Sequence, residues 1–403
     1  MYDAIVVGAR VAGAPLAMLL ARRGYAVLLA DKASFPSDTM STHYIHQPGN
    51  ACLKRWGLLD RVVATGCPAI RHGVLDPGGV TLRGWGPAAE GVEEAYAPRR
   101  TVLDKILVDG AADAGVEVRE RFAFQDLLFD GESVTGIRGR TAAGATVAEQ
   151  ARIVIGADGM HSAVARAVNA ATYNTRPALA CYYYSYFSGV PMPDLELYPR
   201  EGRIALGFPT NDDLVVIGVG WRNEEFHAFR SDIDGNFQRT LEQAAPSLAA
   251  RVRGGRREER WTGTADLPNF FRRPWGPGWA LVGDAGYHRD PITGYGITDA
   301  FRDAELLADA VHTGLSGAAP MATALSAYEE RRNEAVMAMY DMICGMASLR
   351  PLDPAMQALF AALEHNAEDT NRMFGVLDGT VPVTAFFAPD NIGRIMAAGG
   401  VAA

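Results

Sequence analysis

Six residues near the start of the chain have the composition of a phosphate cradle: Gly8-Ala9-Arg10-Val11-Ala12-Gly13. Glycines at both ends let backbone N–H groups approach an anion, and a helix beginning there adds the positive end of its dipole. Asp31 follows about 20 residues later, the separation at which an acidic side chain accepts from ribose hydroxyls. Arg10 stands where the G-x-G-x-x-G pattern has its middle glycine. Its Cβ limits how near the backbone can come, and its guanidinium can meet a phosphate directly. Three more polar constellations follow: Ser41-Thr42-His43-Tyr44-Ile45-His46, Gly156-Ala157-Asp158-Gly159, and Gly283-Asp284 with Asp290-Pro291 and Gly294-Tyr295-Gly296. Two imidazoles close together suit proton transfer near neutral pH. A solvated connecting loop has the same composition.

A cradle needs a strand before it and a helix after it. Ala4 to Val7 is a β-branched apolar run, as a buried parallel strand requires. Ala14 to Arg23 carries helix formers closed by Gly24, and Tyr25 to Ala30 is a second apolar strand ending at Asp31. That order is the dinucleotide-binding βαβ unit. Ala151 to Ile155 delivers the second constellation to a helix in the same way. Trp279 to Val282 delivers the third, ahead of a helix over Ile297–His312. Arg99-Arg100 opens another helix with Leu103, Leu107, Ala111 and Ala114 on its apolar face. Cations at a helix start oppose its dipole, so either an anion lies nearby or the pair faces solvent. A helix over Ala51–Val63 and a hairpin turned at Asp130-Gly131 complete this half.

From 178 to 268 the period changes to β. Tyr182, Tyr183, Tyr184, Tyr186 and Phe187 share one strand and face a pocket on alternate positions, or pack against neighbouring strands. Arg203–Pro209 and Leu214–Trp221 form a hairpin, and Phe226–Arg253 reads as helix. Met321–Leu349, Ala355–Leu377 and Asn391–Ala398 read as helices. Met337, Met339, Met342 and Met346 form an adaptable pocket wall or plain core. The fold class is therefore α/β. A discontinuous Rossmann-like domain with a parallel sheet spans 1–73, 98–177 and 268–315. An inserted antiparallel-sheet domain spans 74–97 and 178–267, and C-terminal helices span 316–403.

Composition excludes several classes. A net charge of -9 argues against nucleic acid, which needs a basic face. Cys52, Cys67, Cys181 and Cys344 form no C-x-x-C pair and no metal spacing; no metal is expected, and reduced thiols fit the cytoplasm. No apolar stretch has bilayer-spanning length, and the first apolar run is only a strand that follows Asp3, not a leader. A cytoplasmic location without a membrane span is expected.

The N-terminal fingerprint, Arg100-x-x-Leu103-x-x-x-Leu107, Gly156-Ala157-Asp158-Gly159, and Gly283-Asp284 with Pro291 and Gly294-x-Gly296 together resemble the FAD-dependent aromatic hydroxylases. These are single-component monooxygenases of the para-hydroxybenzoate hydroxylase fold, which geranylgeranyl reductases and flavin-dependent halogenases share. The resemblance runs from the N-terminus to the helix after Gly296. It implies noncovalent FAD, with Gly8, Arg10, Val11, Ala12 and Gly13 at the pyrophosphate and Asp31 and Lys32 at the adenosine ribose. It places Arg100 at the phosphate or ribityl chain and Phe124 near the cofactor, with Asp158 supporting the pyrophosphate region or the nicotinamide donor. Gly283 and Asp284 fall at the ribityl or ribose hydroxyls and Pro291 beside the ring. Gly294, Tyr295, Gly296 and Ile297 form the helix start at flavin N1 and the C2 carbonyl. Reduced flavin is an anion, which unpaired N–H groups and a helix dipole stabilise.

The same resemblance implies a small electron-rich substrate, aromatic or of polyketide type, and O2 activated at flavin C4a. His43, Tyr44 or His46 would act as base or orienting group. No second glycine fingerprint appears, so NAD(P)H is expected as a transient donor, or a separate flavin reductase supplies electrons. Three positions depart from the hydroxylase pattern: Arg10, Tyr287 where histidine is common, and Ala165 where arginine is common. The other activity in view is reduction of carbon–carbon double bonds, because Ala205-Leu206-Gly207-Phe208-Pro209 has a likeness to the geranylgeranyl reductases. A halogenase fits less well: Trp-x-Trp-x-Ile-Pro is absent, and lysine occurs only at Lys32, Lys54 and Lys105.

Overall fold

The computed structural model describes residues 1–399. β1 (Tyr2–Val7) leads through the glycine turn to α1 (Gly13–Ala21) and returns as β2 (Val27–Ala30). α2 (Gln47–Trp56) starts before the expected Ala51 and stops at Gly57, whose left-handed φ of 72° closes it. The expected longer helix resumes only as a short turn over Leu59–Val63. Short strands β3 (Gly73–Leu75) and β4 (Leu82–Gly84) precede α3 (Arg100–Asp113) and β5 (Glu117–Arg119). A hairpin of Ala123–Asp130 and Ser133–Arg140 then feeds β6 (Thr146–Gly156), followed by the short helix α4 (Ala163–Ala167).

Four strands follow: β7 (Ala180–Ser188), β8 (Leu195–Arg200), β9 (Arg203–Pro209) and β10 (Val215–Arg222). The single helix expected over 226–253 is three: Phe226–Arg230, α5 (Ile233–Ala244) and Pro246–Gly254. Both breaks are local. The Asp232 carboxylate caps α5 by accepting from the Gly235 N–H, and Pro246 has no N–H to continue a helix. β11 (Trp279–Leu281) leads to α6 (Gly296–Leu315) and the long α7 (Met321–Ala347). α8 (Pro354–Glu364), α9 (Ala367–Asp378) and α10 (Pro389–Ala398) complete the chain. One helix was expected over 355–377, but Asn366 caps a new start by accepting from the Asp369 N–H. Of the expected 316–403 region, 400–403 lie outside the described residues.

The first sheet has the order 275–276, β11, β6, β1, β2, β5, with every pairing from β11 to β5 parallel. Its register sets Val7 against both Ala30 and Gly156, and Gly156 against Leu281. Three glycine-bearing turns therefore leave one carboxyl edge side by side, where ligands of open α/β sheets bind. α1, α3 and α6 cover one face through Leu16, Leu103, Leu107, Phe301 and Leu307, all wholly buried.

The second sheet runs 256–257, β7, β10, β9, β8, β3, β4, antiparallel except where β8 meets β3. The 74–97 excursion thus contributes strands to it. Both faces are covered. Tyr183 and Phe187 pack against Phe237 and Leu248 on one side. Tyr184, Tyr186 and Phe208 join Phe360, Phe374 and Phe386 of the C-terminal helices on the other. No helix among the described residues is long and apolar enough to cross a membrane. None of their His, Cys, Asp and Glu side chains group in a way that could hold a metal.

Candidate functional site

Gly8 has φ +105°, a backbone state that side chains resist, and a Cβ there would lie 2.4 Å from the Ala157 carbonyl oxygen. Gly13 is held closer still: its Cβ would fall 1.8 Å from the Gly8 carbonyl oxygen. The first and second turns are therefore packed against each other. Asp158 serves this contact indirectly. Its Oδ1 accepts from the Ser162 hydroxyl at 2.5 Å and its Oδ2 from the Ala163 and Val164 N–H groups at 2.6 and 3.2 Å, capping α4. Both of its oxygens are thus committed to the protein.

α1 starts without a side-chain cap and without an acid in its first turn. The N–H groups of Arg10, Val11, Ala12 and Gly13 have no protein acceptor among the described residues. Helix starts buried this way are normally capped by a side chain or by a ligand. Asp31 lies beside them: its carboxylate accepts from the Ala9 N–H at 2.7 Å and the Ala33 N–H at 2.8 Å. Each oxygen keeps a lone pair for a hydroxyl. Lys32 is exposed, and Phe124 packs half-buried on the hairpin.

α6 repeats the pattern. It has no side-chain cap, and the N–H groups of Tyr295, Gly296, Ile297 and Thr298 find no protein acceptor among the described residues. Gly296 is exposed, and a Cβ there would meet nothing within 4 Å. Gly294, at φ +66°, places the turn against Tyr44. Asp284 on the neighbouring turn is reached by solvent yet ringed by protein, as the floor of a crevice is. That crowding raises its carboxyl pKa, while His288 and Arg100 pull it back down. Two uncapped helix starts with an open acidic floor between them fit an elongated ligand with a phosphate at one end and a hydrogen-bonding ring at the other.

The arginines are arranged differently from expectation. Arg10 does not project freely to a phosphate. Its guanidinium is ion-paired to Asp104 and donates to Ser37 Oγ at 3.0 Å and the Asp38 carbonyl at 3.1 Å. Arg100 donates to the same Asp104 at 3.0 and 3.1 Å. Asp104 is wholly buried, four residues along α3, and supplies the anion that makes a cation at the helix start tolerable. Two guanidiniums share one carboxylate, so one positive charge is left over beside the crevice. Arg99 points away, stacked 3.9 Å from the Tyr186 ring centre and bonded to Glu259.

The 43–46 stretch is buried, which removes the solvated-loop alternative. His43 is 1 % exposed; its Nδ1 lies 3.0 Å from the Ala97 carbonyl and its Nε2 3.0 Å from the Tyr186 hydroxyl. The carbonyl can only accept, so Nδ1 carries the hydrogen and Nε2 receives the Tyr186 proton. Burial depresses its pKa to about 3. His43 is a neutral structural link, not the base expected near neutral pH. Tyr44 is also unsuited to be a base, since burial holds its pKa well above the usual phenol range. Its hydroxyl is buried without a partner among the described residues, and the base of its side chain lies against Gly294. Both ring nitrogens of His46 are engaged as well: Nε2 lies 2.8 Å from the Thr293 carbonyl and Nδ1 3.3 Å from Asp378.

Sequence reasoning left the tyrosine strand open between pocket and packing; the structure divides it by period. Tyr182, Tyr184 and Tyr186 all send hydroxyls toward the site, to Asp290 at 2.6 Å, the Ser41 N–H at 3.1 Å and His43 at 3.0 Å. Tyr183 and Phe187 face the other way, onto Phe229 and Phe237. The methionines divide too. Met339, Met342 and Met346 pack at Ile292, next to Pro291, while Met337 joins a separate cluster.

Asp290 was not anticipated as a titrating group. Burial pushes its carboxyl up to about 7, with Oδ2 left unpartnered. A folded-state pKa above the unfolded one means that the native state holds the extra proton. This contribution is full below about pH 4 and lost as pH rises through 7. Asp290→Asn should therefore stabilise the fold relative to wild type at pH 8 more than at pH 5, by roughly 2–3 kcal/mol. Urea unfolding at the two pH values measures it; an equal difference at both would contradict the assignment.

A doubly wound parallel sheet with three turns at its carboxyl edge and two uncapped helix starts defines a dinucleotide-binding flavoprotein with an inserted sheet domain. The chain belongs to the family described as FAD binding domain, whose model matches residues 1–342, and thereby to the FAD-dependent oxidoreductases. It is 29% identical over 338 residues to digeranylgeranylglycerophospholipid reductase 2 of Methanothermobacter thermautotrophicus, covering 82% of this chain and 83% of that one. Among solved structures, the flavin-dependent brominase Bmp2 matches with a TM-score of 0.81 at 17% identity over 98% of each chain. PqsL of Pseudomonas aeruginosa, described as a probable FAD-dependent monooxygenase, matches with a TM-score of 0.71 at 22% identity, over 93% of this chain and 99% of that one. These structural likenesses establish the shared fold.

Proposed function

We propose that the protein is an FAD-dependent monooxygenase acting on a small electron-rich molecule, aromatic or of polyketide type. The uncapped start of α1, with Asp31 beside it, holds the ADP half, and the start of α6 holds the flavin pyrimidine edge. Bound FAD supplies two-electron redox chemistry and the place where O2 is activated. NAD(P)H, visiting transiently, or a separate flavin reductase provides the electrons.

The observation that carries this reading is the cover over the α6 turn. Tyr44 touches Gly294 and packs edge-on to Phe208, within a buried cluster that includes Tyr184, Tyr186 and the C-terminal helices. Oxygen transfer needs water kept out, since water diverts activated oxygen to peroxide. The two imidazoles of the 41–46 loop, His43 and His46, have both ring nitrogens engaged, which suits a substrate activated by its own electron richness. No lysine is placed at this turn either: Lys32 and Lys54 are exposed and Lys105 pairs with Asp109. That weakens a halogenating reading.

A second reading, reduction of a carbon–carbon double bond, has its own support. The curated relative named above is a reductase, and Asp290, with its pKa about 7, is an acid that could supply the proton accompanying a hydride. The two separate in one assay. FAD-loaded protein is given NAD(P)H, with or without an added flavin reductase, and a panel of polycyclic aromatic and polyprenyl compounds, in air and under argon. A monooxygenase forms product only in air and carries labelled oxygen from O2 into it. Equal turnover under argon, with no label incorporated, would replace this proposal with the reductase.

A further inference from the structure

The C-terminal helices contain one buried carboxylate that departs from every local preference. Asp378 is the last residue of α9, where a negative charge opposes the helix dipole. It is 1 % exposed, and a buried carboxylate persists only when paired. No arginine or lysine among the described residues pairs with it; the basic side chain that faces it is the His46 imidazole. Oδ2 accepts from the Gly86 N–H at 3.1 Å and the Gln47 side-chain amide at 3.3 Å, and Oδ1 faces His46 Nδ1 at 3.3 Å.

The other end of the imidazole decides the proton count. His46 Nε2 lies 2.8 Å from the Thr293 carbonyl oxygen, which can only accept, so Nε2 carries a hydrogen. Nδ1 then faces a carboxylate, and that contact is attractive only with a second proton between them. The ring is flanked by Tyr44 and Tyr295, with centroids 4.7 and 4.8 Å away. These two phenols are titratable groups turned toward the pair, and burial keeps both protonated. Asp378 also reaches the turn through its main chain: the Tyr295 hydroxyl donates to its carbonyl at 3.2 Å. Gly379 next to it has no room for a side chain, since a Cβ would fall 1.5 Å from that hydroxyl.

We propose that Asp378 is a positioning residue: it holds His46 as a doubly protonated imidazolium, and through His46 and Tyr295 it fixes the 293–296 turn that presents the unpartnered N–H groups of α6. The link to the cofactor rests on the flavoprotein reading above; the proton count does not. Its consequence is that the C-terminal helical layer, outside the nucleotide-binding sheet, sets the geometry of the flavin end of the site.

The test uses full-length protein carrying nitrogen-labelled histidine, with and without FAD. His46 among the 8 histidines is assigned by its loss in His46→Gln. At neutral pH both His46 ring nitrogens should resonate as protonated. In Asp378→Asn one becomes bare, accepting from the new amide, and the FAD dissociation constant rises roughly tenfold. A single bare ring nitrogen in wild-type His46 would overturn the proposal, even if Asp378→Asn proves unfolded. So would a folded Asp378→Asn protein with unchanged ring protonation and unchanged FAD affinity. If wild type shows the imidazolium yet binds no FAD, the fault lies in the flavoprotein reading, and the cofactor role of Asp378 falls with it.

Discussion

Gly13→Val is expected to abolish FAD binding, lowering affinity by roughly a hundredfold or more, the scale of close-contact losses of about 3 kcal/mol. The cause is backbone against side chain. A Cβ at Gly13 would fall 1.8 Å from the Gly8 carbonyl oxygen and 3.0 Å from the Ala157 side chain. No rotamer relieves a Cβ clash, so α1 must move away from β1. Its four free N–H groups then no longer line the crevice. Gly24→Ala is the matched control. Gly24 also has a positive φ, +88°, but its Cβ would enter open space at the far end of α1. It should cost about 1 kcal/mol of stability and leave FAD affinity intact. Fluorescence titration of both variants measures the contrast, and equal loss in the two would mean that the close approach at Gly13 has no part in binding.

The second large effect is expected at Asp104. Asp104→Leu removes the carboxylate shared by Arg10 and Arg100, whose side chains are 25 and 7 % exposed. Breaking a buried ion pair from one side costs about 3–5 kcal/mol, because the remaining charge is left uncompensated. On the proposed placement, the phosphates of FAD bring negative charge to the same crevice. The variant should thus recover part of its loss when FAD binds, and FAD should raise its melting temperature more than it raises that of wild type. Melting curves with and without FAD read this directly. A variant as stable as wild type, or one that FAD stabilises no more than wild type, would show that the arginines need no anion.

Asp104 also shows where the sequence stops being informative. The Arg99-Arg100 pair signalled that an anion should lie near, but the first anion is a carboxylate one turn along the same helix. Both answers have the same sequence signature. The N-terminal βαβ unit was legible because everything that defines it is local: a β-branched run, two glycines, a helix and an acid at fixed spacing. The breaks at Gly57, Pro246 and Asn366 are local too, and each cap residue could have been read.

The 41–46 loop was left open between a proton-transfer site and a solvated connection, because a polar composition does not say whether a segment is buried. His43 and His46 are buried with every ring nitrogen facing a partner, and those partners lie 54 and 332 residues away for Ala97 and Asp378. Satisfied polar groups pack as readily as apolar ones, and nothing in a single sequence pairs residues at such separations. The tyrosine strand lies between these cases. Its period of two predicted that Tyr182, Tyr184 and Tyr186 share a face, but not which face meets the site. That depends on the C-terminal helices and on Asp290, which approach from other parts of the chain.

Two uncapped helix starts on one parallel sheet are expected to hold FAD. Purified protein, stripped and then titrated with FAD, should quench flavin fluorescence at one FAD per chain. It should turn yellow and release the flavin intact on denaturation, because the attachment is noncovalent. Protein that stays colourless, with FAD fluorescence unchanged across the titration, would contradict the account at its base.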